Sequence, residues 1–408
     1  MPQRIAQRVE RLGTSIFSEM SALALEHGAI NLSQGFPDFS APELVKRAAI
    51  AAIQADHNQY APAIGVLALR QAIATTYARD YGLEADPAHE VTVTSGATEA
   101  IFGAITALVD PGEEVIVFEP AYDAYVPDIL MAGAIPRFVT LHPPVVASPA
   151  GEPTGSSRWT FDKDALHNAF NSRTRAIIVN TPHNPTGKVF RRDELELIAS
   201  LCQEHDVVAI TDEVYDRLVF TGSHLPLATL PGMWERTITI NSTGKTFSAT
   251  GWKIGYALAA APLTAALRRA HQFITFATST PFQVAMAEAL EEARSSGYYQ
   301  ALLAFYLERR ALLLDILRDA EMVVVPPEGT YFIMAGIDQW GFANDVEFCR
   351  YLTIEQGVAA IPPSAFYAEP SAAPLMARFC FAKDLATLQA AGDRLRHTTS
   401  RRKARGHA

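Results

Sequence analysis

Two stretches decide the fold: VVAITDEVYD at residues 207–216 and TITINSTGKTFSATGWKIGY at residues 237–256. Each begins with an unbroken apolar or β-branched run and then changes to polar residues. A run of this kind, rather than one that is apolar at every second position, is typical of a strand covered on both faces. The polar residues that follow, Asp212 and Lys245, are therefore predicted near the carboxyl ends of strands, where open α/β sheets bind their ligands.

Similar runs recur through the middle of the chain and alternate with helical patterns. Helices are predicted at 99–109 and 192–205, where apolar residues form one stripe. Strand–helix alternation indicates an α/β fold with a mostly parallel sheet between layers of helices. The seven strands predicted for this sheet are VTVTS (91–95), VIVFE (115–119), RFVT (137–140), AIIVNT (176–181), VVAITD (207–212), TITIN (237–241) and IGYALA (254–259).

The C-terminal third has a different pattern. Long helices are predicted at 298–320 and 385–396, with short strands at 323–325, 330–334, 358–361 and 377–381. This α+β pattern predicts a second, smaller domain. We assign residues 1–45 to an N-terminal arm and part of the small domain, 46–284 to the large domain and 285–408 to the small domain. Residues 142–157, HPPVVASPAGEPTGSS, are predicted to form a surface loop.

The composition limits the class of protein. Of 408 residues, 49% are apolar and 19% are charged, which excludes a disordered chain. A net charge of -10 argues against nucleic-acid binding, and the basic RRKAR at 401–405 is read as a solvated tail or a binding arm. The three cysteines are far apart, and neither a secretory signal nor a membrane span is found. A cytoplasmic protein without membrane partners is expected.

Several well-known signatures of enzyme classes are absent from the sequence. No Gly-x-Gly occurs, which excludes a Rossmann fingerprint. The triplet at 244–246 resembles the end of a P-loop, but the first glycine of that motif is missing, since its place falls at Thr239. Neither Gly-x-Ser-x-Gly nor His-Glu-x-x-His is present, and no pair among the 11 histidines has metal-ligand spacing. No metal site is predicted.

Four polar segments follow predicted strands, and each has an ordinary structural explanation when taken alone. SGAT (95–98) opens a helix and offers N–H groups to an anion, but a simple capped turn has the same sequence. NPTG (184–187) is a typical turn. Asp212 is either a buried functional carboxylate, or a helix N-cap or one member of a structural ion pair. Lys245 is either solvated or a desolvated amine suited to Schiff-base chemistry.

Taken together, the four segments resemble pyridoxal-phosphate enzymes with the aspartate-aminotransferase fold (fold type I). That cofactor needs a lysine, an acid for its ring nitrogen and a cradle for its phosphate. The resemblance covers about residues 12–396 and is closest to the class I branch that holds bacterial methionine aminotransferases and kynurenine aminotransferases (glutamine transaminase K). The motifs that carry it are NLSQGFPDF (31–39), NQYAP (58–62), NTPHNPTGKVF (180–190), TDEVYD (211–216), STGKTFSATGWKIGY (242–256), GVAAIP (357–362) and RFCFAK (378–383).

The resemblance implies pyridoxal 5′-phosphate as the cofactor. Lys245 then forms the Schiff base and acts as the base, Asp212 pairs with the pyridine nitrogen, and Tyr215 and Asn184 bind the ring oxygen. Tyr122 matches an aromatic residue that stacks on the ring, although core packing explains it equally well without the resemblance. The groups implied for the phosphate are Gly96, Ala97, Thr98, Ser242, Lys253 and, from the neighbouring subunit, Tyr60. Lys253 stands where the family often has arginine, so weaker phosphate binding is expected.

The resemblance also implies that Arg378 binds the substrate carboxylate, helped by Asn184 and the backbone at Gly35. No second arginine matches the dicarboxylate clamp of the family, which favours methionine or an aromatic amino acid as the donor. Ala277 replaces a histidine of the kynurenine enzymes, which disfavours kynurenine. Because Tyr60 is expected to reach its neighbour, a homodimer with shared active sites is predicted. Candidates for the side-chain pocket are Phe17, Phe36, Tyr60, Tyr122 and Phe276, all of which core packing would also explain.

Four functions stay open at this point. The leading prediction is an aminotransferase that moves the amino group of methionine or an aromatic amino acid to a 2-oxo acid. The same scaffold also supports a kynurenine aminotransferase or a cysteine-S-conjugate β-lyase, because a deprotonated substrate can lose a β-leaving group. A non-catalytic pyridoxal-phosphate sensor is disfavoured by the acidic charge and by the short stretch that precedes residue 12.

Overall fold

The computed structural model describes residues 5–10, 12–144 and 158–405. The strands are β1 (Ile30–Asn31), β2 (Val91–Ser95), β3 (Glu114–Glu119), β4 (Ile135–His142), β5 (Thr160–Phe161), β6 (Thr174–Asn180), β7 (Val208–Asp212), β8 (Thr237–Ser242), β9 (Ile254–Leu258), β10 (Val323–Val324), β11 (Phe332–Gly336), β12 (Val358–Ala359) and β13 (Met376–Cys380).

The helices before the middle of the chain are α1 (Gln7–Glu10), α2 (Ile16–Glu26), α3 (Glu43–Gln54), α4 (Leu67–Tyr81), α5 (Gly96–Leu108), α6 (Tyr125–Met131), α7 (Lys163–Ala169) and α8 (Arg192–Glu204). Those that follow are α9 (Thr243–Thr246), α10 (Ala261–Ile274), α11 (Thr280–Ser295), α12 (Tyr298–Asp319), α13 (Asp345–Glu355) and α14 (Leu385–Arg405). Short 3₁₀ turns lie at Leu227–Thr229, Trp234–Arg236, Thr250–Trp252, Asp338–Trp340, Pro363–Phe366 and Pro370–Ala372.

The large sheet has the strand order β2-β9-β8-β7-β6-β3-β4-β5. The pairs β8-β7, β7-β6, β6-β3 and β3-β4 are parallel, whereas β9 runs antiparallel to both of its neighbours. The predicted α/β class is confirmed. The predicted count of seven strands is wrong by one, because the two-residue β5 pairs with the end of β4 and adds an eighth strand at the edge.

The central strands are apolar throughout because both faces of the sheet are covered. Along β3, Ile116 and Phe118 pack in one hydrophobic cluster, and Val115 and Val117 pack in the cluster on the opposite face. Fully burying each such side chain contributes about 1.5–3 kcal/mol. The strand at 135–142 lies near the edge of the sheet and alternates between exposed and half-buried positions along its first half, so the prediction that both of its faces are covered is wrong there.

A second core surrounds the antiparallel sheet β10-β11-β13. Met20 and Leu32 from the N-terminal region share this core with Leu313, Phe348 and Phe379. β1 also pairs with β12, which joins residues near the start of the chain to the C-terminal third. Both ends of the chain therefore build one core, while the boundaries 1–45, 46–284 and 285–408 stay a prediction.

Two further predictions concern the Pro-, Gly- and Ser-rich segment at 142–157 and the basic segment at 401–405. The predicted surface loop at 142–157 lies outside the described residues from residue 145 onward. The closing helix α14 continues beyond the predicted residue 396 to Arg405, so that it includes the basic RRKAR segment. Within the described residues, every helix is too short or too polar to cross a membrane.

Candidate active site

A cavity of about 270 Å³ lies where β2, β6, β7 and β8 end. These strands bring Asn180, Asp212 and Ser242 to one edge of the sheet, and the second core closes the other side with Phe332 and Arg378. The remaining lining residues are Phe17, Gln34, Gly35, Phe36, Gly96, Ala97, Thr98, Ile101, Tyr122, Asn184, Val214, Tyr215, Gly244, Lys245, Thr250 and Lys253.

Lys245 presents a desolvated amine to this cavity. It belongs to the one-turn helix α9, which Ser242 caps by accepting a hydrogen bond at its Oγ from the Gly244 N–H at 3.2 Å. The Lys245 Nζ donates to the Tyr331 hydroxyl at 3.1 Å and to the Gly35 carbonyl at 3.4 Å. Burial lowers the pKa of Lys245 to about 8, so that a neutral, nucleophilic amine is accessible near neutral pH.

Asp212 is a buried carboxylate with few partners. Its Oδ2 accepts a hydrogen bond from the Tyr125 hydroxyl at 2.6 Å, and its Oδ1 accepts a longer one from the Val214 N–H at 3.3 Å. Burial raises the pKa of Asp212, because the surrounding protein solvates its charge poorly. A cationic N–H group in the cavity would stabilise the ionised form.

The loop after β6 is tied to the end of β7 through one side chain. The Asn180 Nδ2 donates to the Asp212 carbonyl oxygen at 2.9 Å, and its Oδ1 accepts from the Asn184 N–H at 2.7 Å. This fixes Asn184 beside the cavity. Tyr215 is buried nearby, and its ring meets the Tyr331 ring edge-on with 5.1 Å between the centroids.

Arg378 places a buried positive charge against the same cavity, with none of its surface exposed. One Nη donates to the Asn184 Oδ1 at 3.0 Å and the other donates to the Ser33 carbonyl at 2.8 Å, while its buried Nε has no hydrogen-bond partner. Within the described residues it forms no ion pair with a carboxylate. Burial lowers the pKa of Arg378 to about 10, which indicates that an anionic ligand would be favoured here.

The start of α5 forms a close-fitting cradle with Lys253. Gly96 has a φ of +78°, and a Cβ at this position would lie 3.0 Å from the Lys253 Nζ. A Cβ at Gly255 would lie 2.4 Å from the Gly96 carbonyl carbon, so close packing against the backbone requires glycine at 255, whereas the positive φ favours glycine at 96. The helix N-terminus, an ammonium group and the hydroxyls of Thr98 and Ser242 form a donor set that fits a phosphate. Together with the amine and the buried carboxylate, these groups fit pyridoxal 5′-phosphate.

Of the 16 predicted site residues, 14 line the cavity, and the other two, Tyr60 and Phe276, lie elsewhere. Tyr60 is 83% exposed and Phe276 is 51% exposed, and their rings contact each other with 5.3 Å between the centroids. Phe276, a predicted pocket residue, does not line the cavity of this single chain, because the turn after α10 carries it to the surface. Tyr60 was expected at a neighbouring subunit, which a single chain does not test.

Sequence reasoning missed several residues of the cavity. Asn180 had a usable signal, since it ends an apolar strand as Asp212 does. Tyr125 and Tyr331 had none, because their contacts join segments 87 and 86 residues apart. The other missed lining residues are Gln34, Ile101, Val214, Gly244, Thr250 and Phe332.

Comparisons with known proteins cover nearly the whole chain. Residues 27–395 match the family model of aminotransferase class I and II. The methionine aminotransferase of Escherichia coli K12 is 42% identical over 390 residues, which cover 95% of this chain and 97% of that protein. Human kynurenine–oxoglutarate transaminase 1 is 41% identical over 412 residues, with coverage of 96% and 97%. The solved structure of N-succinyldiaminopimelate aminotransferase from Mycobacterium tuberculosis superposes with a TM-score of 0.90 at 43% identity, covering 96% of this chain and 99% of that chain.

Proposed function

The chain belongs to the class I and II aminotransferase family, and on that premise we propose that it transfers the α-amino group of methionine, or of another amino acid with a large and weakly polar side chain, to a 2-oxo acid. The observation that carries the choice of substrate is the lining of the cavity. Within the described residues Arg378 is its single arginine, and the aromatic rings of Phe17, Phe36 and Phe332 lie around it. Such a lining accepts one carboxylate and an apolar side chain.

The family is known to use pyridoxal 5′-phosphate, and we assign that cofactor to this cavity. When bound, it supplies an electron sink for the substrate α-carbon. The helix-terminal groups at 96–98, with Ser242 and Lys253, would hold its phosphate. Asp212 would hold the pyridine nitrogen, Asn184 and Tyr215 the ring oxygen, and Tyr122 the ring face.

The protein groups then divide the work by charge and position. With the cofactor bound, the amine of Lys245 would take a proton from the substrate α-carbon and pass it on to the cofactor, which requires a neutral amine at working pH. Asp212 stays ionised opposite a protonated ring nitrogen, with the Tyr125 hydroxyl as its fixed hydrogen-bond donor. Arg378 orients the substrate through its carboxylate, and the aromatic residues around the cavity exclude water.

We infer a homodimer with shared active sites from the exposed aromatic surface around Tyr60. Phe273 is 86% exposed and lies on α10, which leads to Phe276. Since the rings of Tyr60 and Phe276 contact each other, a second copy of the chain that docks on this surface meets both rings at once. We propose that they complete the partner's cavity. We also assign the protein to the cytoplasm, where free thiols such as those of Cys202, Cys349 and Cys380 stay reduced.

A panel of amino donors against several 2-oxo acids, ranked by kcat/KM, tests the proposal. Methionine and phenylalanine are expected to exceed the dicarboxylates aspartate and N-succinyldiaminopimelate, because within the described residues the cavity offers no second arginine. They are expected to exceed kynurenine as well, because Ala277 stands where the kynurenine enzymes carry a histidine. A dicarboxylate donor at the top of the ranking would overturn the assignment. A cysteine S-conjugate separates transfer from β-elimination: pyruvate and ammonia exceeding the transamination product would favour the β-lyase.

A further inference from the structure

We propose that Tyr331 is a positioning residue for the amine of Lys245: its phenol oxygen holds this amine, together with the Gly35 carbonyl, whenever the lysine is not bonded to the cofactor. The inference rests on the proposed function and adds to it a residue outside the lining of the cavity. It also names the position from which the amine acts on the substrate.

The hydrogen bonds of Tyr331 have a defined direction. Its hydroxyl donates to the Gly35 carbonyl oxygen at 2.5 Å, and a phenol has only one proton to give. Toward Lys245, at 3.1 Å, the phenol oxygen is therefore an acceptor. In this contact the Lys245 amine must be the hydrogen-bond donor, and it is held beside the phenol oxygen.

The phenol is held rigidly by packing on several sides. Tyr331 is fully buried between the ring of Tyr215, edge-on at 5.1 Å, and the ring of Tyr306, stacked at 5.9 Å. A Cβ at Gly35 would lie 2.7 Å from the Phe332 ring, so the Gly35 carbonyl approaches this cluster only because glycine stands there. The acceptor oxygen is thus fixed relative to the cavity.

The two acceptors leave the reactive lone pair of the amine unengaged. A neutral primary amine has two N–H bonds and one lone pair. The Tyr331 and Gly35 oxygens, which are hydrogen-bonded to each other at 2.5 Å, lie 3.1 and 3.4 Å from the Lys245 Nζ and therefore in nearly the same direction from it. They share one N–H bond of the amine, and the lone pair points away from both. Lys245 lines the cavity and Tyr331 does not, so the lone pair is available to a substrate bound there.

Other charged groups act on this amine without holding it. Burial is the main cause of the lowered pKa of Lys245. Of the charged groups nearby, Cys380 and Asp212 raise this pKa, whereas Lys253 and Arg378 lower it. Within the described residues, the hydrogen bonds of Nζ go only to Tyr331 and Gly35. Removing the phenol oxygen therefore breaks the direct contact with Lys245, together with the hydrogen bond between the Tyr331 and Tyr215 hydroxyls, and leaves these charges in place.

The test compares Tyr331→Phe with Tyr367→Phe, a matched control that removes a buried hydroxyl without a hydrogen-bond partner. In the cofactor-free full chain, the rate of acetylation of Lys245 is followed against pH by peptide mass spectrometry. Because the phenol oxygen accepts from the ammonium and stabilises it, Tyr331→Phe is expected to lower the apparent pKa of Lys245 by about one unit. Tyr367→Phe is expected to leave it unchanged.

The second readout is steady-state turnover of the holoenzyme with methionine and α-deuterated methionine. Tyr331→Phe is expected to reduce kcat about tenfold, with a nearly constant KM and a larger isotope effect, because a loosely held amine slows proton transfer. An unchanged acetylation profile and an unchanged isotope effect would overturn the proposal, as would equal effects of Tyr367→Phe. If no donor is turned over by the wild type, the proposed function fails, and the acetylation profile still decides the role of Tyr331.

Discussion

Replacing Arg378 by lysine separates substrate binding from cofactor binding. The guanidinium is fully buried and has an Nε without a partner, so a substrate carboxylate meets a fork of fixed N–H donors. Lysine keeps the charge but loses the fork, which removes one charge-assisted hydrogen bond worth about 1.5–3 kcal/mol. We therefore expect kcat/KM for methionine to fall about 10- to 150-fold, mostly through KM, since the carboxylate is bound equally in ground and transition states.

The assay measures kcat and KM for Arg378→Lys beside the amount of cofactor that is retained after gel filtration. The predicted phosphate groups at 96–98 and Lys253 lie at the ends of β2 and β9 of the large sheet, whereas Arg378 lies in β13 and contacts the predicted cofactor group Asn184 at 3.0 Å. Since the phosphate groups are left intact, retention is expected to stay close to that of the wild type. Parallel loss of kcat/KM and of cofactor would refute the reasoning, because it would make Arg378 a structural residue.

Three further substitutions probe stability and the cradle. Tyr125→Phe removes the 2.6 Å hydrogen bond to Asp212, whose pKa burial already raises. Ionisation of that carboxyl lowers the stability of the fold as pH rises through its folded pKa, and the Tyr125 hydroxyl stabilises the ionised form. The variant should therefore lose about 1–3 kcal/mol of free energy of unfolding in urea, and more at pH 8 than at pH 4. Equal losses at the two pH values contradict this. Lys188→Met leaves the buried Glu194 without its partner and should cost about 3–5 kcal/mol with kcat unchanged; a cost near zero would show that water reaches Glu194. Gly96→Ala puts an L-residue at a φ of +78° and should weaken cofactor retention about fivefold on dialysis, whereas unaltered retention would argue against the cradle.

The family, the enzyme class and the α/β fold were predictable from sequence, and the comparisons confirm them. The reason is physical: the central strands must be apolar on both faces, so each chemically active residue stands out where a strand ends. Predicted VTVTS matches β2, and predicted VVAITD exceeds β7 by one residue. The start of α5 was placed three residues late, because Gly96 with its positive φ does not look like the start of a helix.

The contacts that tune the site were not predictable in the same way. Tyr331 lies within a segment that reads as an ordinary strand, and its partner Lys245 is 86 residues away. Tyr125 follows Tyr122 in a tyrosine-rich segment, and its bond to Asp212 depends on how α6 packs against the sheet. Local sequence periodicity carries no information about such contacts. The surface position of Phe276 depends likewise on the turn that follows α10.

The central claim is that the cavity around Lys245 carries out amino transfer from methionine. It is tested most directly by incubating wild type and Lys245→Ala with methionine and a 2-oxo acid, and measuring the new amino acid against the methionine consumed. We expect one mole of new amino acid per mole of methionine for the wild type and none for the variant. Sustained amino transfer by Lys245→Ala would contradict it.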